Sequence, residues 1–166
     1  MTSLLLMKGM KHIALLGGSM LYTVNQSRLE GFRQAYEKMG QVIDEGLLFL
    51  ELETDDLRMW AVQQAVERGA DCILCMDERL AQLSLNVLKQ LNLRVPQDIS
   101  VSGYDGIALG RYSNPRLTTI RQNSERLAQR GAEILLNCIE NGSSAVHEVV
   151  PFELIEDESV AALPNH

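Results

Sequence analysis

Short apolar runs alternate with longer stretches of helical periodicity along this chain, and the alternation predicts its order of elements. Residues 13–16, Ile-Ala-Leu-Leu, form a continuous apolar run closed by Gly17 and Gly18. That is the pattern of a central parallel strand buried on both faces. Residues 47–52 and 71–76 predict two further strands. The first helical stretch opens on Ser27-Arg-Leu-Glu30, which reads as a capping box, and carries Leu29, Phe32, Tyr36 and Met39 inward before Gly40 stops it. Thr54 caps the next, with Asp55 and Asp56 against its positive end and a stripe of Leu57, Trp60, Ala61, Gln64, Ala65 and Arg68. Asp77 caps a third, whose inward stripe is Leu80, Ser84, Val87, Leu88 and Leu91.

Beyond Pro96 the pattern changes. Residues 99–101 predict a short buried strand that runs into Gly103 and stops on an exposed polar pair, Tyr104 and Asp105. A loop rich in turn residues follows before a β-branched run at residues 117–120. Asn123 or Ser124 opens a last helix, with Leu127, Ala128, Leu135, Cys138 and Ile139 inward and Gly142 as its stop. Residues 146–150 and 152–155 read as closing strands separated by Pro151, and residues 3–9 as the tail of a helix ended by Gly9. Strands alternating with helices imply an α/β fold with a parallel sheet and right-handed crossovers. There is no internal repeat and no linker.

Composition narrows the function classes. The chain has 166 residues, 46% hydrophobic and 22% charged, which suits one ordinary globular domain. A net charge of −7 disfavours a phosphate-binding surface for nucleic acid, because that affinity rests on lysine and arginine. The apolar runs are too short to span a bilayer, and the start lacks the layout of a signal peptide. Three cysteines, an odd number, suggest reduced thiols and a cytoplasmic setting.

Several motifs carry less chemistry than they suggest. Gly17-Gly18-Ser19 lies at a strand end but belongs to neither a dinucleotide fingerprint nor a P-loop. Cys72 and Cys75 form a C-x-x-C inside a strand, where an offset of three sends them to opposite faces; they read as core residues. His12, His147 and His166 are scattered, so neither a metal site nor a nucleophile–base pair is expected. The chain is read as a non-enzyme without cofactor or metal. Three polar residues share a more informative placement. Arg28 opens a helix after the first strand, Asp77 opens one after the third, and Asp105 follows the fourth. In a parallel sheet these belong to one edge, the edge where ligands dock. Each alone also reads as a cap or a surface charge. Together, a guanidinium and carboxylates can grip vicinal hydroxyls.

Two phrases carry a family resemblance: Arg94-Val-Pro-Gln-Asp-Ile-Ser-Val-Ser-Gly-Tyr-Asp and Asn114-Pro-Arg-Leu-Thr-Thr-Ile-Arg-Gln, with Ser27-Arg-Leu-Glu-Gly-Phe32 upstream. In this order they resemble the C-terminal half of the effector-binding core of LacI/GalR-family transcriptional regulators. The resemblance implies a three-layer, doubly wound, mainly parallel sheet of the periplasmic-binding-protein type, with residues 1–166 as a single effector-binding and dimerisation subdomain. Residues 1–10 would then be the tail of an upstream helix, in a fragment or a shortened relative. It implies effector contacts from Arg28 and Asp105, with Tyr104, Asp77, Ser124 and Glu53 beside them. Asp77 and Glu78 stand where the family usually has asparagine and aspartate, a departure that bears on effector choice. The implied partners are a small sugar-like effector and a second copy of the chain. Leu80, Leu83, Val87, Ala108, Leu109 and Tyr112 are the candidate dimer contacts, on the helix over residues 79–91 and the loop over 107–117. DNA would be bound only through a helix-turn-helix domain absent here, and no membrane is involved. Two other readings stand beside this one: a periplasmic-type sugar-binding protein sharing the fold, and a small α/β enzyme.

Overall fold

Every residue of β1 (Ile13–Leu16) and β3 (Cys72–Cys75) is buried in the computed structural model of the protein, which describes residues 1–107, 112–142 and 147–163. Such strands need apolar cover on both faces, and helices supply it. On one face, Ile13, Leu15, Cys72 and Leu74 pack against Leu5 of α1 (Thr2–Met7) and Phe32 and Tyr36 of α2 (Thr23–Lys38). On the other, Ala14, Leu16, Ile73 and Cys75 meet Ala61 and Val62 of α3 (Asp55–Glu67) and Leu85 and Leu88 of α4 (Glu78–Gln90). The two cysteines fall in opposite clusters, as their spacing requires.

The sheet is completed by β2 (Leu48–Phe49), β4 (Ser100–Asp105), β5 (Thr118–Arg121) and β6 (Glu153–Ile155), in the order β2-β1-β3-β4-β5-β6. The first five strands are parallel, and β6 alone runs antiparallel, against β5. The expected three-layer, doubly wound sheet is therefore present. Chain order reverses between β1 and β3, so the carboxyl ends of those strands form the crevice where such sheets hold ligands.

Several local expectations are corrected. The helix after β1 starts at Thr23, a turn before the Ser27–Glu30 box, so Arg28 lies inside α2 rather than at its opening. The side chain of Asn25 donates to the Ser19 carbonyl at 2.9 Å and that of Gln26 to the Met20 carbonyl at 2.7 Å. These bonds tie the first turn to the preceding loop, and no side chain caps the helix. On α3, Leu57 and Trp60 are 44% and 48% exposed, and the buried face is Ala61, Val62 and Ala65. Met39 and Leu91 are also exposed. The second strand is only Leu48–Phe49, preceded by a turn of 3-10 helix at Glu45–Leu47. The fourth strand, in contrast, runs through Asp105, and Tyr104 and Asp105 are half-buried rather than an exposed pair. Residues 147–150 form no strand, and Val146 lies outside the described residues.

The largest correction concerns α5 (Ser124–Asn141). Asn123 caps it, its side chain accepting from the Arg126 amide, and Gly142 ends it in the left-handed region at φ 59°. Yet it buries no residue, and Leu127, Leu135 and Ile139 are 43%, 61% and 70% exposed.

Among the described residues no helix is long and apolar enough to cross a membrane. The buried core leaves a mark on alkaline stability. Burial pushes the Cys75 thiol up from its ordinary 9.0 to about 12 and the Tyr36 hydroxyl from 10.0 to about 12; the Cys72 thiol is also well raised. The folded protein thus keeps protons that the unfolded chain releases. Their stabilisation is complete below the ordinary values and is lost as pH rises from about 9 toward about 12. Urea midpoints measured from pH 8 upward are expected to fall across that window, and the thiols to resist alkylation until unfolding. A midpoint that stays level to pH 11 would show that these groups ionise freely in the native state.

Candidate functional site

Because β1, β3, β4 and β5 run the same way, whatever follows each strand arrives at one rim. Arg28 comes from α2 after β1, Met76 and Asp77 follow β3, Tyr104 and Asp105 end β4, and Gln122 follows β5. Arg28 joins three of these strand ends. Its Nη1 donates to the Met76 carbonyl, and its Nη2 donates to Asp105 Oδ1 at 2.9 Å. Its guanidinium carbon lies 4.0 Å from the centre of the Tyr104 ring, a cation–π stack. Gln122 Nε2 donates to the same Asp105 Oδ1 at 2.7 Å.

Both of these bonds fall on Oδ1, so Asp105 Oδ2 has no partner within the chain among the described residues. The side chain is 32% exposed and lines a cavity of about 270 Å³ together with Asp77. Its backbone sits at φ 96°, a region L residues rarely enter. Gly106 follows at φ 62°, where a Cβ would stand 2.5 Å from Arg121 Cα. The chain therefore doubles back tightly at the end of β4. Strained backbone of this kind costs about 1–3 kcal/mol and clusters at functional sites.

The expected site residues are brought together unevenly. Arg28, Tyr104 and Asp105 are in direct contact. Asp77 shares the 270 Å³ cavity with Asp105, and its Oδ1 caps α4 by accepting from the Leu80 amide at 2.8 Å. Ser124, exposed at the start of α5, borders a neighbouring depression with Asp105 and Gln122. Glu53 is exposed beyond β2 and lines neither hollow. Of the dimer candidates, Leu80 and Val87 are 3% and 4% exposed and belong to the core of this chain, so they have no surface to offer a second subunit. The pattern misled because α4 packs its whole apolar stripe on the sheet. Leu83 is partly buried, Tyr112 is 87% exposed, and Ala108 and Leu109 lie outside the described residues.

Three participants were not among the expected site residues. Gln122 shares the Asp105 acceptor. Arg58 holds Asp55 at 2.7 Å and the Leu52 carbonyl at 3.0 Å beside the same cavity. Glu78, 1% exposed, accepts the Ile107 amide at 2.6 Å through Oε2. The signal for Gln122 was present: it stands one residue past a parallel strand, as Asp77 and Asp105 stand at theirs.

Replacing Asp105 tests how this rim is held. Asp105→Ala removes an acceptor shared by two donors and places alanine at φ 96°. It is expected to lose about 2–3 kcal/mol of unfolding free energy. Asp105→Asn keeps an acceptor oxygen and a residue type that tolerates positive φ, and should lose about 1 kcal/mol. Equal melts for the two variants would show that neither the acceptor oxygen nor the positive φ at Asp105 holds the rim.

The comparisons agree with this architecture. A family model described as a periplasmic binding protein-like domain matches residues 2–160. The HTH-type transcriptional repressor PurR of Vibrio cholerae is 30% identical over 160 residues, covering 94% of this chain and 47% of that protein. PurR of Erwinia tasmaniensis is 34% identical over 164 residues, covering 96% of this chain and 48% of that protein. Among solved structures, the transcriptional regulator CelR in complex with cellobiose superposes with a TM-score of 0.87 at 26% identity, over 96% of this chain and 50% of that one. A LacI-family sugar-binding transcriptional regulator from Escherichia coli complexed with phosphate gives 0.85 at 25%, over 96% and 58%. The chain spans about half the length of the curated relatives it matches.

Proposed function

The chain belongs to the periplasmic binding protein-like domain family, and on that premise we propose that it is the effector-sensing and dimerising part of a LacI-type transcriptional repressor. One observation carries the reading. Asp105, held through Oδ1 by Arg28 and Gln122 at the end of β4, next to the strand-order reversal, lines a cavity at this rim with its Oδ2 unpartnered among the described residues. A carboxylate so oriented accepts from a ligand hydroxyl or amine. The effector is therefore a small, hydroxyl-bearing, sugar-like molecule, gripped with help from Asp77. Its role is to favour one conformation of the repressor over another, which is how a small ligand alters DNA affinity. DNA contact belongs to another part of the repressor, and the work is done in the cytoplasm. The chain itself carries out no catalysis and needs neither cofactor nor metal.

The test is titration of a panel of neutral sugars and nucleosides onto the repressor that contains this chain, followed by calorimetry with whichever binds. Bonds to charged groups contribute roughly 1.5–3 kcal/mol, so Asp105→Ala should weaken binding on the order of tenfold to a hundredfold, and Asp105→Asn less. A panel with no binder, or a binder indifferent to both variants, sinks the reading.

Dimerisation is proposed through the outward side of α4 at Leu83 and the loop carrying Tyr112, two residues the fold of the chain leaves wholly or partly uncovered. Sedimentation of the repressor should show a dimer at micromolar concentration. Leu83→Glu paired with Tyr112→Glu should convert it to monomer while the melt holds. A dimer that tolerates both charges places the interface elsewhere.

A further inference from the structure

The rim has several features that attract anions, and the chain itself has already answered all but one of them among the described residues. Two helix N-termini, α3 and α4, open onto the cavity side of the rim. A helix N-terminus draws negative charge through its free amides and its dipole. At α4 the Asp77 carboxylate occupies that place, bonded to the Leu80 amide at 2.8 Å. At α3 the Thr54 hydroxyl accepts from the Leu57 amide, and Asp55 and Asp56 fill the first turn. The arginines follow the same rule. Arg28 is paired to Asp105 at 2.9 Å, with side chains only 15% and 32% exposed, and Arg58 is paired to Asp55 at 2.7 Å. Arg79, exposed at the mouth, has no carboxylate partner among the described residues. The cavity is thus lined by four acids, Asp55, Asp77, Glu78 and Asp105, against two bases, Arg58 and Arg79.

From this arrangement we infer that the site accepts only uncharged or cationic ligands and rejects anionic ones, phosphorylated or carboxylated, with Asp105 as the residue that sets this selectivity by neutralising Arg28. The inference rests on the sensing reading above and deepens it. An incoming phosphate would meet a surplus of carboxylates in a partly enclosed space, where charge repulsion is screened less than in open water. It would gain Arg28 only by displacing Asp105 from a bond that Tyr104 stacking and the Met76 carbonyl hold in place. A hydroxyl or amine donor meets no such obstacle, because Asp105 Oδ2 has no partner among the described residues.

The experiment uses inorganic phosphate as the probe and compares melting temperatures in phosphate and in sodium chloride of equal ionic strength. The wild-type chain should melt at the same temperature in both. Asp105→Asn removes the internal counter-charge while its asparagine still tolerates φ 96°, and should bind phosphate on the order of tenfold to a hundredfold more tightly than wild type. Adding Arg28→Gln to that variant should abolish the gain. Asp55→Asn, which releases Arg58 at the exposed side of the cavity, supplies a second variant with the same expected sign. Phosphate stabilisation of the wild type, or an Asp105→Asn variant that gains nothing, overturns the inference. Failure of the sensing reading is read separately, from the neutral panel, because the phosphate arms require no knowledge of the effector.

Discussion

Two strands with no polar position, Ile13–Leu16 and Cys72–Cys75, set the terms for everything else in the molecule. A strand buried on both faces must sit at the centre of a sheet with helices above and below, and parallel pairing lets each helix return the chain to the same starting edge. All strand ends then emerge on one rim. Arg28, Asp77, Asp105 and Gln122 are spread over nearly a hundred residues of sequence, yet this constraint alone brings them to one edge. The functional chemistry is thereby a consequence of hydrophobic patterning: the core decides where the polar residues meet.

That logic explains what could be read from the sequence. The strand β1, the caps at Thr54, Asp77 and Asn123 and the glycine stops at Gly40 and Gly142 depend on local chemistry, and they stand as expected. The edge shared by Arg28, Asp77 and Asp105 follows from strand direction and needs no contact information. What local pattern does not carry is the identity of the surface opposite. The stripe on α5 has the periodicity of a packed helix, and nothing in its spacing says whether its partner lies in the same sheet. Leu127, Leu135 and Ile139 therefore have the spacing of core residues and yet stand exposed. Helix α4 shows the converse: the positions of Leu80 and Val87 suit a subunit contact by pattern, but the core of the chain takes both.

The same limit applied to helix α2. Ser27 and Glu30 have the spacing of a capping box, but Asn25 and Gln26 reach back to the carbonyls of the preceding loop and extend the helix past it. Side chains that bond backward over six residues make no periodic signal, so the pattern places the start one turn late. The consequence for the site is small but real. Arg28 sits in the second turn, from where its guanidinium spans from the Met76 carbonyl to Asp105.

Asp105 concentrates the remaining argument. A strand end could be closed by glycine or asparagine at positive φ with less strain, and Gly106 next door shows that the turn already uses that solution. An aspartate there adds a negative charge, and the structure balances it against Arg28 and orients it with Gln122. Removing the carboxylate would relieve nothing that the fold needs relieved and would leave a guanidinium, 15% exposed, without its counter-charge. The pair therefore makes sense as a unit: the arginine fixes one carboxylate oxygen, and the other has no partner among the described residues. Within the pair the charge is thus balanced by the chain itself, with no ligand needed to complete it.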